Sequence, residues 1–400
     1  MTDTSTDTHT AAAADLEKIL EAAVNRGASD VHMKMGRPPI VRLDGELAPL
    51  PGFSTFGAPE LNDIVNGVCA VSRSRRETFE RTGELDTAFQ PAGLPRFRVN
   101  AFRQRGETSV AFRIIPRTVP SFQSLHLPPG VEKLSEEHRG LILVTGATGV
   151  GKTTTLAAMI GHINRTRRQH IVTIEDPIEI VHDDETCIVN QREVGIDTES
   201  FSEALRRVLR QDPDVILIGE MRDRETAETA LQAAESGHLV LSTMHTLDAA
   251  ETIGRLVEFF PAEKHAQIRS ILAGVLRGVI SQRLLPRRDG GRIAAVEVMI
   301  ANNRIQELIR ENRPDLVPEA IADGLFFQMQ TLTSALIDLV VTGEIDEETA
   351  AAAAPNRHDF MIALEQTLKE KEIHERRIAE GWDEDADEFT LVQASKLRVL

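Results

Sequence analysis

The chain has 400 residues, 41% of them apolar, and a formal net charge of −17. That length suggests two or three domains with real cores, and the acidic balance argues against a protein that mainly coats nucleic acid or anionic lipid. Its two cysteines, Cys69 and Cys187, leave no disulfide framework and no C-x-x-C zinc site. No apolar run reaches membrane-spanning length, and the polar start is unlike a signal peptide, so a reducing, cytosolic setting is expected.

Residues 1–10 read as a disordered tail. Residues 11–26 predict an amphipathic helix with Leu16, Ile19, Leu20 and Val24 on one face and Gly27 as its stop. Short strands follow around Val31 and Met33 and at 40–43, then helices at 59–68 and 73–81. Further strands are expected at 88–89, 96–103 and 109–115. In the last two, apolar and basic residues interleave, leaving Arg96, Arg98, Arg103, Arg105 and Arg113 on or beside strands. Guanidinium forks suit phosphate, also in trans from a neighbouring subunit; a solvated sheet face is the plainer account for at least half of them. Residues 11–115 thus form a small mixed α/β domain. The prolines at 116 and 120 stiffen a linker or hinge, 116–124.

From Leu141 onward, apolar runs alternate with helical patterns. Strands are expected at 141–144, 170–174, 215–218 and 239–243, with helices at 151–165, 201–211 and 224–236 between them. That alternation implies a parallel sheet covered by helices. After Thr246 the pattern is mostly helical, with a hairpin from 279–285 and 293–299. The second domain runs over 125–358, and a charged tail over 359–400, in which Phe360, Ile362, Leu364 and Leu368 could continue a helix.

The chemistry centres on Gly146-Ala-Thr-Gly-Val-Gly-Lys-Thr-Thr154, between an apolar strand and a helix. It fits G-x-x-x-x-G-K-[ST], in which glycine-loop amides cradle phosphates. Gly146, Thr148, Gly149, Gly151, Lys152, Thr153 and Thr154 are therefore candidate nucleotide ligands. Lys152 would reach the β/γ-phosphates and the Thr153 hydroxyl would sit on Mg²⁺, so ATP and Mg²⁺ are expected. The strand 215–218 ends at Glu220. It is expected beside the phosphate-loop strand, with Glu220 polarising or aligning the attacking water. A solvated loop glutamate is the plainer reading of Glu220 alone. Glu175 and Asp176 end another apolar strand, where carboxylates can orient Mg²⁺-bound water, although a polar loop is the alternative. His238 and His245 bracket the strand 239–243. His245 stands at its carboxyl end, where it could sense the γ-phosphate; His238 could equally be a satisfied structural group. Aromatic residues are scarce, with no Tyr and one Trp, which weakens any base-stacking surface for nucleic acid.

Four boxes in fixed order resemble the secretion and pilus ATPases of the type II/type IV superfamily. They are the phosphate loop, Ile174-Glu-Asp-Pro-Ile-Glu179, Gly219-Glu-Met-Arg-Asp223 and Gly237-His-Leu-Val-Leu-Ser-Thr-Met-His-Thr246. The likeness runs over about 12–360 through Gly27-Ala-Ser-Asp-Val-His32, Arg96-Phe-Arg-Val-Asn-Ala-Phe102, Val279-Ile-Ser-Gln-Arg-Leu-Leu285 and Met329-Gln-Thr-Leu332. The chain looks most like the pilus retraction branch. The resemblance implies an α/β fold: a RecA-like P-loop ATPase core, a smaller PAS-like N-terminal domain and a helical C-terminal part. It also implies a homohexamer with ATP between subunits, acting on an inner-membrane pilus platform protein from the inner face of the cytoplasmic membrane, with other pilus ATPases as further partners. Carried over by position, Lys152 and Thr153 hold phosphate and Mg²⁺, Glu175 and Glu220 serve metal and water, and His245 approaches the γ-phosphate. Arg98 and Arg113 match the phosphate-contacting arginines of the first domain. The family segment Ala-Ile-Arg-Asn-Leu-Ile, tied to retraction, stands here as Arg304-Ile-Gln-Glu-Leu-Ile309, so ATP hydrolysis is implied more directly than retraction. Extension ATPases carry an extra N-terminal domain and usually a tetracysteine zinc site, which favours the retraction branch or its accessory paralogue. A non-catalytic ring partner and a DNA translocase are the competing classes.

Overall fold

A computed structural model describes residues 5–43, 45–70, 73–116 and 118–379. The chain divides into two units. The first comprises Met1–Val119 with Asp176–His182 and Glu193–Thr198; the second comprises Pro120–Glu175, Asp183–Arg192 and Glu199–Leu400. The second excursion of the first unit is held there by Arg96 Nη2, 2.6 Å from Glu193 Oε2, and by Arg75 Nε, which donates to Gly195 O at 3.2 Å. The sequence reading assigned both excursions to the 125–358 core. Long-range ion pairing, which no local pattern encodes, draws residues 193–198 out of it.

In the first unit, α1 (Ser5–Asn25) precedes β1 (Asp30–Lys34), β2 (Ile40–Leu43) and β3 (Glu46–Pro49). Then come α2 (Ala58–Val68), α3 (Arg73–Thr82), β4 (Glu84–Phe89), β5 (Phe97–Gln104) and β6 (Glu107–Ile114). Among the described residues the strands form one sheet in the order β3-β2-β1-β6-β5-β4. The helix expected from residue 11 starts at Ser5, so the expected 1–10 tail is helical from there; residues 1–4 lie outside the described residues. Leu16, Ile19 and Leu20 are buried as the periodicity predicts, Val24 packs partly buried against the same core, and Ala23 is buried with them. Alternation along β5 sends Phe97, Val99 and Ala101 into the core and leaves Arg98 and Asn100 partly exposed on the other face. Phe97 meets Phe112 edge-on at 6.2 Å, a pairing worth about 1 kcal/mol beyond its buried area.

The second unit begins with α4 (Pro129–Ser135), β7 (Gly140–Thr145), α5 (Lys152–Thr166), β8 (His170–Glu175) and β9 (Ile188–Glu193). It continues through α6 (Phe201–Val208), β10 (Val215–Ile218), α7 (Arg224–Glu235), β11 (Leu239–Met244), α8 (Ala249–Glu258) and α9 (His265–Val275). The hairpin β12 (Leu276–Pro286) and β13 (Arg292–Ile300) leads to α10 (Asn303–Glu311), α11 (Val317–Ala322), α12 (Leu332–Val341), α13 (Glu347–Ala353) and α14 (Arg357–Ala379). The sheet order is β13-β12-β7-β11-β10-β8-β9, with β12, β7, β11, β10 and β8 parallel to their neighbours in that run. Every residue of β7, β10 and β11 is buried, as continuous apolar runs between two helical layers require. This is the α/β class expected, with a RecA-like core, an N-terminal sheet domain and C-terminal helices.

One expectation changes and another is extended. β11 lies between β7 and β10, so the Glu220 strand is not beside the phosphate-loop strand. In the charged tail the helix expected to continue from Phe360 to Leu368 runs on to Ala379, and Phe360 and Leu364 are buried in a C-terminal cluster with Leu336 and Ile345. Residues 380–400, including the acidic patch at 383–388, lie outside the described residues. No described helix is long and apolar enough to cross a membrane.

Candidate active site

Parallel pairing brings the carboxyl ends of four strands to one sheet edge, because Thr145 is opposite Met244, Ser242 opposite Ile218, and Ile218 opposite Ile174. The segments that follow carry the phosphate loop, His245, Glu220 and Glu175. An open α/β sheet binds ligands at that edge.

The loop between β7 and α5 turns on glycines. Gly146 has φ 136°, and a Cβ there would lie 2.5 Å from Gln282 O and 2.8 Å from Val150 Cγ2. Gly151, with φ 92°, occupies the left-handed region at the start of α5. The 15-residue α5 directs its first free N–H groups toward the loop, the usual seat of a phosphate. Lys152 is 9% exposed, and its Nζ donates to Gly146 O at 2.7 Å and Ala147 O at 3.0 Å. Thr148 and Gly149 are exposed, while Thr153 and Thr154 are half-buried at the helix start.

Glu175 ends β8 and is buried; it accepts from Thr173 Oγ1 at 2.6 Å and Gln191 Nε2 at 3.0 Å. Gly219 N–H donates to Ile174 O at 2.8 Å, so the acid-bearing turns after β8 and β10 run side by side. Glu220 Oε2 lies 2.6 Å from Arg222 Nε and 3.4 Å from His245 Nε2. Because β11 lies next to β10, His245 reaches Glu220 directly. Thr243 supports the pair: its hydroxyl donates to Gly219 O at 2.7 Å, and its carbonyl accepts from Met221 N–H at 3.0 Å.

His238 stands at the opposite end of β11, bonded through Nδ1 to Ala233 O at 2.9 Å. It belongs to the scaffold and not to the edge that carries the other candidates. Arg98 and Arg113 face each other across β5 and β6 in the first unit. Arg113 Nε binds Asp30 Oδ1 at 2.9 Å. Burial raises the Asp30 carboxyl, but bonds from Arg113 and Ser29 outweigh it and hold the acid below its usual value. Arg96 is committed to Glu193, and Arg103 lies over the Phe79 ring.

Thr173, Gln191, Arg222 and Gln282 escaped the sequence reading. Arg222 lies within the Gly219-to-Asp223 box, but its role shows only in the ion pair with Glu220. Gln282, whose Nε2 donates to Thr155 Oγ1 at 2.9 Å behind the phosphate loop, lies far along the chain in β12. Oxygen donors, a hydroxyl at Thr153 and a buried carboxylate at Glu175, suit Mg²⁺, which keeps several waters. Among the described residues no group of three or more His, Cys, Asp or Glu side chains could hold a metal ion, so such an ion would not have an all-protein cage.

A family model described as Type II/IV secretion system protein matches residues 85–290. The type IV pilus retractation ATPase PilT of Pseudomonas aeruginosa is 46% identical over 351 residues, covering 86% of this chain and 100% of that protein. A twitching motility protein of Neisseria gonorrhoeae is 44% identical over 319 residues, covering 80% and 84%. The crystal structure of the pilus retraction motor PilT with bound ADP superimposes with a TM-score of 0.79 at 46% identity, covering 86% of this chain and 97% of that one.

Proposed function

We propose a filament motor for this chain, which belongs to the type II/IV secretion system protein family: an ATPase that powers type IV pilus retraction and hence twitching motility. The observation that carries the reading is the single sheet edge shared by the phosphate loop, Glu175, Glu220 and His245. Retraction as the output rests on likeness to proteins named for it.

In this reading the loop amides from Gly146 to Gly151 and the start of α5 bind the phosphates of ATP, with Thr148 and Thr154 at the rim. Lys152 exchanges its carbonyl contacts for the β/γ-phosphates. Thr153, and Glu175 through water, would hold Mg²⁺, which would supply charge neutralisation on the phosphates. Glu220 orients the attacking water and takes up its proton, while Arg222 and His245 hold its carboxylate in place. Arg98, with Arg113, would approach the nucleotide of a neighbouring subunit, which calls for a ring, here a homohexamer. The linker at 116–124 would serve as the hinge, and a platform protein at the inner face of the cytoplasmic membrane would receive the motion.

The accessory paralogue, a non-catalytic ring partner of a sister pilus ATPase and an extension or secretion ATPase are the alternatives. In α10 the three family positions that are kept, Ile305, Leu308 and Ile309, are the buried ones. The three that differ, Arg304, Gln306 and Glu307, lie on its less buried side. The helix is thus kept as packing while its outer chemistry differs, which leaves room for the accessory role. Steady-state ATP turnover by the purified protein separates motor from non-catalytic partner. Deleting the gene then decides direction: surplus pili that do not retract support retraction, and bald cells point to extension.

A further inference from the structure

Three strands of the core carry a row of polar side chains that the proposed chemistry does not use. Thr145, Ser281 and Glu297 stand opposite one another on β7, β12 and β13. Thr145 Oγ1 donates to Ser281 Oγ at 3.0 Å, and Ser281 stands opposite Glu297 in the register of β12 and β13. Glu297 Oε1 accepts the backbone N–H of Ala249 at 2.9 Å. All three side chains are buried.

Each end of the row meets the site. Thr145 is the last residue before Gly146 and the phosphate loop. Ala249 opens α8, directly after the turn 245–248 that carries His245. Its N–H is one of the first-turn amides for which a helix has no partner of its own. Asp248 caps Glu251 N–H at 2.8 Å, Glu251 accepts from Leu247 N–H at 2.8 Å, and Thr246 Oγ1 meets Thr252 Oγ1 at 2.6 Å. The turn and the head of α8 are therefore one bonded piece, and Glu297 attaches that piece to the sheet. Burying a carboxylate is costly, and an apolar side chain would fill the same space without that cost. The bond to Ala249 is what an apolar residue could not make.

We propose that Glu297 is a positioning residue for ATP hydrolysis, locking the turn that carries His245 to the strand that leads into the phosphate loop. The inference rests on the ATPase reading. Glu297 touches neither nucleotide nor water; it acts through Ala249, and through the pairing of β13 with β12 and of β12 with β7.

The test measures kcat, KM for ATP and Tm on the full chain for wild type, Glu297→Leu, Glu297→Met, Glu297→Gln, His245→Ala and the double variants. Glu297→Leu is expected to lower kcat about tenfold or more with KM within about twofold, since small misplacements of catalytic groups are costly. Glu297→Gln, whose amide oxygen still accepts from Ala249, is expected to stay within about threefold of wild type. Adding Glu297→Leu to His245→Ala should cost nothing further, because both remove one function. Should Glu297→Leu fail to fold, Glu297→Met, which keeps the unbranched shape of the side chain without the acceptor, gives the same cycle with His245→Ala. The inference is overturned if folded Glu297→Leu turns over like wild type, if the two losses multiply, or if His245→Ala is itself without effect. An inactive wild type would instead overturn the ATPase reading.

Discussion

The two ends of β11 each present a histidine, and they are held very differently. At the amino end His238 Nδ1 lies 2.9 Å from Ala233 O and 3.0 Å from Ser236 Oγ. Its neighbourhood is equally closed: His170 bonds Asp212 O at 3.0 Å and Asn190 Nδ2 at 2.8 Å, and its N–H donates to Asp214 at 2.8 Å. At the carboxyl end His245 is 47% exposed and meets Glu220 at 3.4 Å, while Arg222, 70% exposed, shares the same oxygen. One end spends its polar groups on closing the sheet. The other leaves His245 and Arg222 exposed around one carboxylate, where they can regroup about a substrate.

The contrast is sharpest where the effect is largest. Lys152→Ala should lower ATP turnover by about a thousandfold or more while leaving the fold, because phosphoryl transfer depends on charge placed at the phosphates. Turnover near wild type would detach the loop from catalysis. Glu220→Gln should cost about a hundredfold or more in kcat, in the range for losing a general base. Retained hydrolysis there would reassign the water-orienting role.

Glu297 tests the comparison from within the core. Burial pushes its carboxyl up to about 7, with Asp248 in the same direction and Ala249 N–H, Ser281 and Arg283 opposing. A raised folded-state value means the folded protein keeps a proton that the unfolded chain gives up above its ordinary value of 4.5. The resulting stability is fully present below that value and is lost as pH rises through about 7. Wild type should therefore lose Tm relative to Glu297→Gln between about pH 5 and pH 8, by the equivalent of roughly 2–3 kcal/mol. Asp338, pushed up to about 6 by burial, titrates alike in both proteins and cancels from the difference. A difference that does not change with pH would refute the assignment. The smallest effect belongs to the closed end: His238→Ala should keep kcat within about twofold and cost about 1 kcal/mol of stability. A large loss of turnover would erase the distinction between the two ends.

The sequence exposed what is local and apolar. Val215 to Ile218 could be read as a buried strand because nothing in it is polar, and the phosphate loop because its glycines and Lys152 are contiguous. Strand order was not legible, since placing β11 between β7 and β10 depends on connections that leave no periodic mark. β9 was missed because Asn190, Gln191 and Arg192 make it a polar strand at the end of the sheet. The full length of α14 is hard to read because charge dominates it beyond Leu368, and few side chains, Phe360 and Leu364 among them, turn inward. The supports of the site, Thr173, Gln191 and Gln282, were invisible for a related reason: each is an ordinary polar residue until a distant strand brings it to its partner.

Gly146 has one more consequence. Of the two residues that confine it, the nearer is Gln282, whose carbonyl occupies the space a Cβ would need and whose amide props Thr155. A chain leaving the ribosome therefore carries the whole phosphate-loop motif long before it carries the wall behind it. Until the hairpin of β12 and β13 has emerged and added itself to β7, the nascent protein holds a signature without a pocket. Fragments ending before residue 276 should release nucleotide readily during synthesis, however intact their motif.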